Sequence, residues 1–261
     1  MSLHIESQGQ GQGRDLILLH GWGVNSAVFH PLLPGLSQYR VHSVDLPGFG
    51  FSQAIDGELD DWVDALVAAL PEQAVWLGWS LGGLIATRVA QRYPERVAGL
   101  ITVASSPCFM ARSDNQWPGI APNVLTQFAE QLQQDLQRTI ERFLAIQAMG
   151  SDSARDDIRT IRELVLARPL ANEQALAQGL EMLAKVDLRP GLERLALPWL
   201  RVWGRLDGLV PRRVANLLPG NASTTDLLLA KASHAPFISH PQEFIQGLNS
   251  WLTEKDFNSL P

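Results

Sequence analysis

The sequence predicts an α/β fold: a mostly parallel central sheet with helices on both faces and an inserted helical cap. Three observations lead there. Short apolar runs of strand length alternate with helical patterns up to residue 103 and again from residue 199. Most of these runs end in a glycine-rich or polar segment, as expected where functional loops sit at the carboxyl ends of parallel strands. Between the two stretches, residues 107–195 show helical periodicity and no convincing strand.

The first runs are 16–19, ending in His20-Gly21-Trp22-Gly23, and 41–45, ending in Leu46-Pro47-Gly48-Phe49-Gly50. The third is 74–77, ending at Gly78, and the fourth is 97–103. Helical spacing over 59–70 and 84–93 separates them, so the units are βαβ. In the middle, Leu125, Phe128, Leu132, Leu136, Ile140 and Leu144 recur every three or four residues and predict one long amphipathic helix. Residues 152–167 and 173–186 predict two more. Strands resume at 199–203, ending in Gly204-Arg205-Leu206-Asp207-Gly208, and at 225–230, ending in Lys231-Ala232-Ser233-His234. A closing helix covers 241–252, and the tail after Thr253 is expected to be loose. The core is thus expected to be 1–106 with 196–261, and the cap 107–195.

Composition restricts the function. The 261 residues suit one catalytic domain with an insertion, and 46% are hydrophobic and 18% charged. The net charge of −6 argues against nucleic-acid or anionic-membrane partners. The single cysteine, Cys108, allows no internal disulfide, and its setting suits packing rather than nucleophilic chemistry. No signal peptide or membrane span is legible. A soluble, cytoplasmic monomer is the expectation.

The chemistry centres on Gly78-Trp79-Ser80-Leu81-Gly82, which follows a strand and precedes a helix. A G-x-S-x-G pattern in that setting is the nucleophile elbow of the α/β-hydrolase fold. The serine occupies a sharp turn that aims its hydroxyl into the cleft, and the glycines let neighbouring elements close on the turn. The pattern alone arises by chance in roughly one chain in ten of this length, so the flanking strand and helix carry the assignment.

Serine needs a base. In this fold the chain order is nucleophile, acid, histidine. Of His4, His20, His30, His42, His234 and His240, only the last two follow both Ser80 and a suitable acid. His234 directly follows a strand, whereas His240 stands at the start of the last helix. Asp207, four residues past its strand in a glycine-flanked turn, is the candidate acid. Asp45 precedes Ser80, and Asp226 lies within a strand pattern. Backbone N–H groups of Trp22 and Leu81 are the expected oxyanion hole. His20 is expected to buttress the Trp22 loop. A serine here fits esters, thioesters or amides. No metal-ligand spacing is present and no cofactor is expected.

In the cap, Arg138 and Arg142 share one helix face, and Arg155 and Arg159 share another. From the residues alone a solvated face is the plainer reading, since Asp135, Glu141, Asp152 and Asp156 are interleaved and the chain uses 18 arginines to 3 lysines. Phe143, Leu144 and Gln147 suit either core packing or a substrate wall.

Several segments together resemble one family, the pimeloyl-[acyl-carrier protein] methyl ester esterases of bacterial biotin synthesis. They are Leu-Leu-His-Gly-Trp-Gly at 18–23, Val-Asp-Leu-Pro-Gly-Phe-Gly at 44–50, Trp-Leu-Gly-Trp-Ser-Leu-Gly-Gly-Leu at 76–84 and Thr-Val-Ala-Ser-Ser-Pro-Cys-Phe at 102–109. Leu-Asp-Gly-Leu-Val-Pro-Arg at 206–212, the segment 232–241, and the cap's Gln137-Arg138-Thr139 with Glu141-Arg142-Phe143-Leu144 extend the match. The first 13 residues and those after Leu252 add nothing. The resemblance implies hydrolysis of a pimeloyl methyl ester on acyl-carrier protein, with Ser80, Asp207 and His234 as the triad. It implies substrate contacts from Trp22, Ser80, Leu81, Phe143, Leu144, Ala145, Ile146, Gln147 and His234. It also assigns Arg138, Arg142, Arg155 and Arg159 to the phosphopantetheine and the acidic carrier protein. A generic short-chain carboxylesterase and a non-catalytic, hydrolase-like binding protein are the alternatives.

Overall fold

The computed structural model describes residues 2–9, 13–114, 116–148 and 153–257. Among the described residues, seven strands form one sheet in the order β1-β3-β2-β4-β5-β6-β7. They are β1 (Ile5–Gln8), β2 (Asp15–Leu19), β3 (Arg40–Val44), β4 (Ala74–Trp79), β5 (Val97–Val103), β6 (Trp199–Gly204) and β7 (Thr224–Leu229). All neighbours pair parallel except β1, which runs antiparallel to β3. The central strands β4 and β6 are buried along their whole length, as strands covered on both faces must be.

Strand β1 was not legible. Its sequence, Ile-Glu-Ser-Gln, has no apolar run, because an edge strand half open to solvent needs none. The order of strands explains where a site can form. The chain passes from β2 outward to β3 and then back past β2 to β4, so the loops leaving β2 and β4 diverge at a switch point. Gly21, after β2, lies so close to the turn after β4 that a Cβ on it would stand 3.2 Å from the Ser80 Cβ.

Helices α1 (Leu59–Ala69) and α2 (Leu81–Arg92) follow β3 and β4. Between β5 and β6 lie α3 (Pro122–Gln134), α4 (Leu136–Ala148), α5 (Ala154–Leu166) and α6 (Glu173–Lys185). Two short isolated bridges, Met110 with Ile120 and Arg112 with Trp117, are the strand-like pairings in this segment among the described residues. The long helix expected from Leu125 to Leu144 is two helices broken at Asp135. That residue has extended backbone (φ −155°, ψ 95°), ends α3 by donating its N–H to Gln131, and starts α4 by accepting from the Arg138 N–H through its carboxylate. A short acidic side chain favours such caps over helix interiors. The apolar spacing carries on across the break, with Phe128, Leu132, Ile140 and Leu144 all buried, so periodicity alone could not reveal it.

Asp152, the expected first residue of the next helix, lies outside the described residues; α5 starts at Ala154. The short helix α7 (Pro236–Ser239) precedes α8 (Pro241–Glu254). The tail is not loose as far as Phe257, which is buried. Its ring packs on Trp251, and its carbonyl accepts from the Arg14 N–H. Residues 258–261 lie outside the described residues.

Candidate active site

Ser80 stands between β4 and α2 at φ 55°, ψ −119°, a region that costs an L-residue roughly 1–3 kcal/mol. Its backbone is held on three sides: its N–H donates to the Val103 carbonyl, and its carbonyl accepts from the Gly83 and Leu84 amides and from Ser105 Oγ at 2.8 Å. Glycine is required around it. A Cβ on Gly78 would run into the Gly82 carbonyl, and one on Gly82 into the Leu19 carbonyl. The turn is therefore packed directly between β2 and α2, with no room for side chains.

The loop after β7 brings His234 to this serine. His234 Nε2 lies 2.9 Å from Ser80 Oγ, and His234 Nδ1 lies 2.8 Å from Asp207 Oδ2. The other oxygen of Asp207 accepts the Leu209 and Val210 amides at 2.8 and 2.9 Å. The turn after β6 thus fixes the carboxylate with one oxygen committed to the backbone and the other to the imidazole. The array is enclosed: Ser80 is 2% exposed and His234 1%. Trp79, part of the elbow motif but given no role from sequence, donates its indole N–H to the His234 carbonyl at 2.8 Å.

Leu81 directly follows Ser80, and Trp22 follows Gly21, which lies against the Ser80 turn; neither amide donates to another protein group among the described residues. The Trp22 indole donates to the Leu176 carbonyl of α6 at 2.8 Å. Its ring meets Phe143 edge-on at 4.8 Å, and Phe143 meets Phe128 at 5.5 Å. Phe143, Leu144 and Gln147 are buried, Ile146 is half-buried and Ala145 is exposed, so the run 143–147 does not present one face. Gln147 has no hydrogen-bond partner for either amide atom among the described residues. Its carbonyl accepts from the His234 N–H and from Ser233 Oγ, both at 3.1 Å.

His20 does buttress the loop. Its Nε2 accepts the Leu46 N–H at 2.9 Å, so the ring proton sits on Nδ1, which donates to the Gly21 carbonyl at 2.7 Å. Burial holds this imidazole neutral, with its pKa lowered from 6.5 to about 4 against the opposing pull of the Asp45 carboxylate. Because the folded pKa lies below the unfolded one, only the unfolded chain takes up this proton between those values. Stability therefore falls as pH drops from 6.5 toward 4, by roughly 3 kcal/mol in all. Carboxylates such as Glu6, lowered from 4.5 to about 2, lose their contribution mainly below pH 4.5, at the acid end of the His20 range. Urea unfolding at pH 6.5 and 4.5 should show this slope in the wild type and its loss in His20→Asn. A flat wild-type profile would reject the burial argument.

Arg138, Arg142, Arg155 and Arg159 are exposed. Arg138 and Arg142 line a surface hollow of about 620 Å³ at the α3–α4 junction, where Arg142 also lies over the Phe128 ring at 5.5 Å. Arg159 pairs with Asp156, one of the interleaved acids, while Glu141 pairs instead with Arg162. His240 is the residue before α8 and is hydrogen-bonded to Ser239, and Asp226 pairs with Arg201 and Trp203. Asp45 is tied to the Ser26 and Phe51 amides and to Arg168. Among the described residues no group of three metal-ligating side chains occurs.

The sheet order and the Ser–His–Asp geometry define a serine-hydrolase class of architecture. Residues 16–241 match the family described as the alpha/beta hydrolase fold, and the chain belongs to that family. It is 65% identical over 254 residues to a protein of Shewanella woodyi named pimeloyl-[acyl-carrier protein] methyl ester esterase, covering 97% of this chain and 98% of that one. A protein of the same name from Aeromonas hydrophila is 58% identical over 252 residues, covering 94% and 97%. Among solved structures, an esterase from Exiguobacterium antarcticum superposes with a TM-score of 0.84 at 23% identity, covering 96% of this chain and 95% of that one. An enol-lactonase from Burkholderia xenovorans superposes with a TM-score of 0.82 at 19% identity, covering 96% of each. These two likenesses concern the fold alone.

Proposed function

We propose that this protein hydrolyses the methyl ester of a pimeloyl chain attached to acyl-carrier protein, giving methanol and the free carboxylate, as a step of biotin synthesis. The observation that carries the reading is end-to-end identity of 65% with a relative of that name. The site geometry supports it independently, because it is equipped for acyl transfer. His234 Nε2 takes the Ser80 proton as Oγ attacks the ester carbonyl. The Trp22 and Leu81 amides receive the oxyanion. Collapse of the tetrahedral adduct expels the methoxy oxygen, which leaves as methanol with the proton from His234. Water, deprotonated by the same imidazole, then attacks the acyl-enzyme and restores Ser80. Asp207 holds the imidazole in the Nδ1–H tautomer throughout.

In this reading residues 107–195 form a cap over the strand ends, with Phe143, Leu144 and Trp22 walling the acyl chain and the Gln147 amide available to a polar atom of the ester. Ala145, being exposed, is the weakest member of the implied contact set. Arg138, Arg142, Arg155 and Arg159 would meet the phosphopantetheine and the acidic carrier protein. No described helix is long and apolar enough to cross a membrane, and Cys108 is buried and free. A cytoplasmic monomer completes the reading.

The test mixes purified protein with methyl pimeloyl-acyl-carrier protein, beside a Ser80→Ala control, and follows the carrier by mass spectrometry. Loss of one methyl group with the wild type alone supports the reading. No loss, with turnover of a short-chain ester retained, points to the generic carboxylesterase. Reversing Arg138 and Arg142 together to glutamate is expected to lower kcat/KM for the carrier-linked ester about tenfold or more at low salt and to spare a small ester. Equal loss on both substrates would remove the arginines from carrier recognition.

A further inference from the structure

The helices between β5 and β6 grip the candidate catalytic loops through main-chain carbonyls. Gln147 lies in the last turn of α4, where carbonyls have no partner within their own helix. Its oxygen accepts from both the His234 N–H and Ser233 Oγ. On the oxyanion side, the Leu176 carbonyl of α6 accepts the Trp22 indole N–H, and the Val165 carbonyl at the end of α5 accepts Asn25 Nδ2 at 3.0 Å. Helix α6 also lies directly on this loop. A Cβ on Gly179 would stand 2.7 Å from Trp22 Cδ1 and 3.2 Å from Leu81 Cδ2, the side chains of the two proposed oxyanion donors.

We propose that the cap assembles the catalytic apparatus as well as covering it. The Gln147 carbonyl positions the His234 loop, and α6, through Leu176 and Gly179, positions Trp22 and Leu81. The inference rests on the serine-esterase reading above. Ser80 and His234 are almost fully buried, and in this inference the cap shifts to admit an ester. A shifted cap releases the grips on both sides at once. Base and oxyanion donors therefore come into register when the cap closes on a bound ester, and hydrolysis is coupled to closure. Ser233 and Gly179 act through other groups and are positioning residues.

The test uses the intact chain with Ser233→Ala, which removes one of the two donors to Gln147, and Gly179→Ala, which pushes α6 off Trp22. Alanine favours a helix over glycine, so the second variant does not weaken α6 through propensity. Four quantities are read: kcat and KM on a short methyl ester, the rate at which a small fluorophosphonate modifies Ser80, and the thermal midpoint. In each variant kcat and the phosphonylation rate are expected to fall together about tenfold, the equivalent of one hydrogen bond, with KM little changed. Ser233→Thr, which keeps the hydroxyl, should recover most of the loss. If Ser233→Ala fails to fold, Gly179→Ala alone decides. Folded variants with wild-type kcat and phosphonylation rates, altered only in KM, would reduce the cap to a cover and overturn the inference. A wild type that the fluorophosphonate does not label at Ser80 would overturn the serine-esterase reading itself, and the inference with it.

Discussion

Ser80→Ala is expected to lower kcat by on the order of 10⁴- to 10⁶-fold while leaving the fold intact. The alanine has no oxygen to form the acyl-enzyme, and the remaining donors and the acyl-binding wall give only residual catalysis. Little structural change should accompany the loss. The backbone of residue 80 is fixed by bonds to Val103, Gly83, Leu84 and Ser105, none of which uses the Ser80 hydroxyl. Ser80→Gly should be equally inactive yet more stable than Ser80→Ala by about 1 kcal/mol, because glycine accepts φ 55° without strain. Steady-state kinetics and thermal unfolding of both variants test the pair of claims. An Ser80→Ala protein that retains activity within tenfold of wild type would remove Ser80 as the nucleophile. A glycine variant no more stable than the alanine variant would reject the strain.

The second large effect is expected from Asp207→Asn, with kcat falling by about 10⁴. The reason lies in the turn after β6. Asp207 Oδ1 accepts two backbone amides, Leu209 and Val210, so an asparagine must place its carbonyl oxygen there. Its NH₂ then faces His234 Nδ1, which must become an acceptor. The imidazole proton moves to Nε2, and that nitrogen can no longer take the proton from Ser80 Oγ, 2.9 Å away. The structure should be nearly unchanged, since both oxygen positions remain occupied by atoms of similar size. The expected signature is slow phosphonylation of Ser80 in a variant with a normal thermal midpoint. Activity within tenfold of wild type would mean that the tautomer is set by something other than Asp207.

Both arguments depend on contacts between residues far apart in the chain, and this separates what was legible from what was not. The sheet could be read because buried parallel strands are short apolar runs and the helices between them repeat every 3.6 residues. The elbow at Ser80 could be read because its glycines answer a local steric demand. His234 and Asp207 followed from chain order and from their place directly after strands. Edge strand β1 left no apolar signature, and the break at Asp135 interrupted the backbone without interrupting the periodicity. The burial of Phe257 is not legible because it stands among polar residues and depends on Trp251 and on the distant Gly99.

The sequence by itself determined which side chains, Ser80, Asp207 and His234, are proposed as reactive and in what order, and the class of chemistry they would perform, because these follow from local turn geometry and strand placement. Tertiary structure decided what surrounds them. Trp79 holding the His234 carbonyl, Gln147 holding the same loop from α4, and Gly179 admitting α6 onto Trp22 are packing relations across 86 to 157 residues of chain. No periodicity encodes them. They exist because a close-packed interior brings distant backbone donors and acceptors to hydrogen-bonding distance, and a buried polar group must find its partner there.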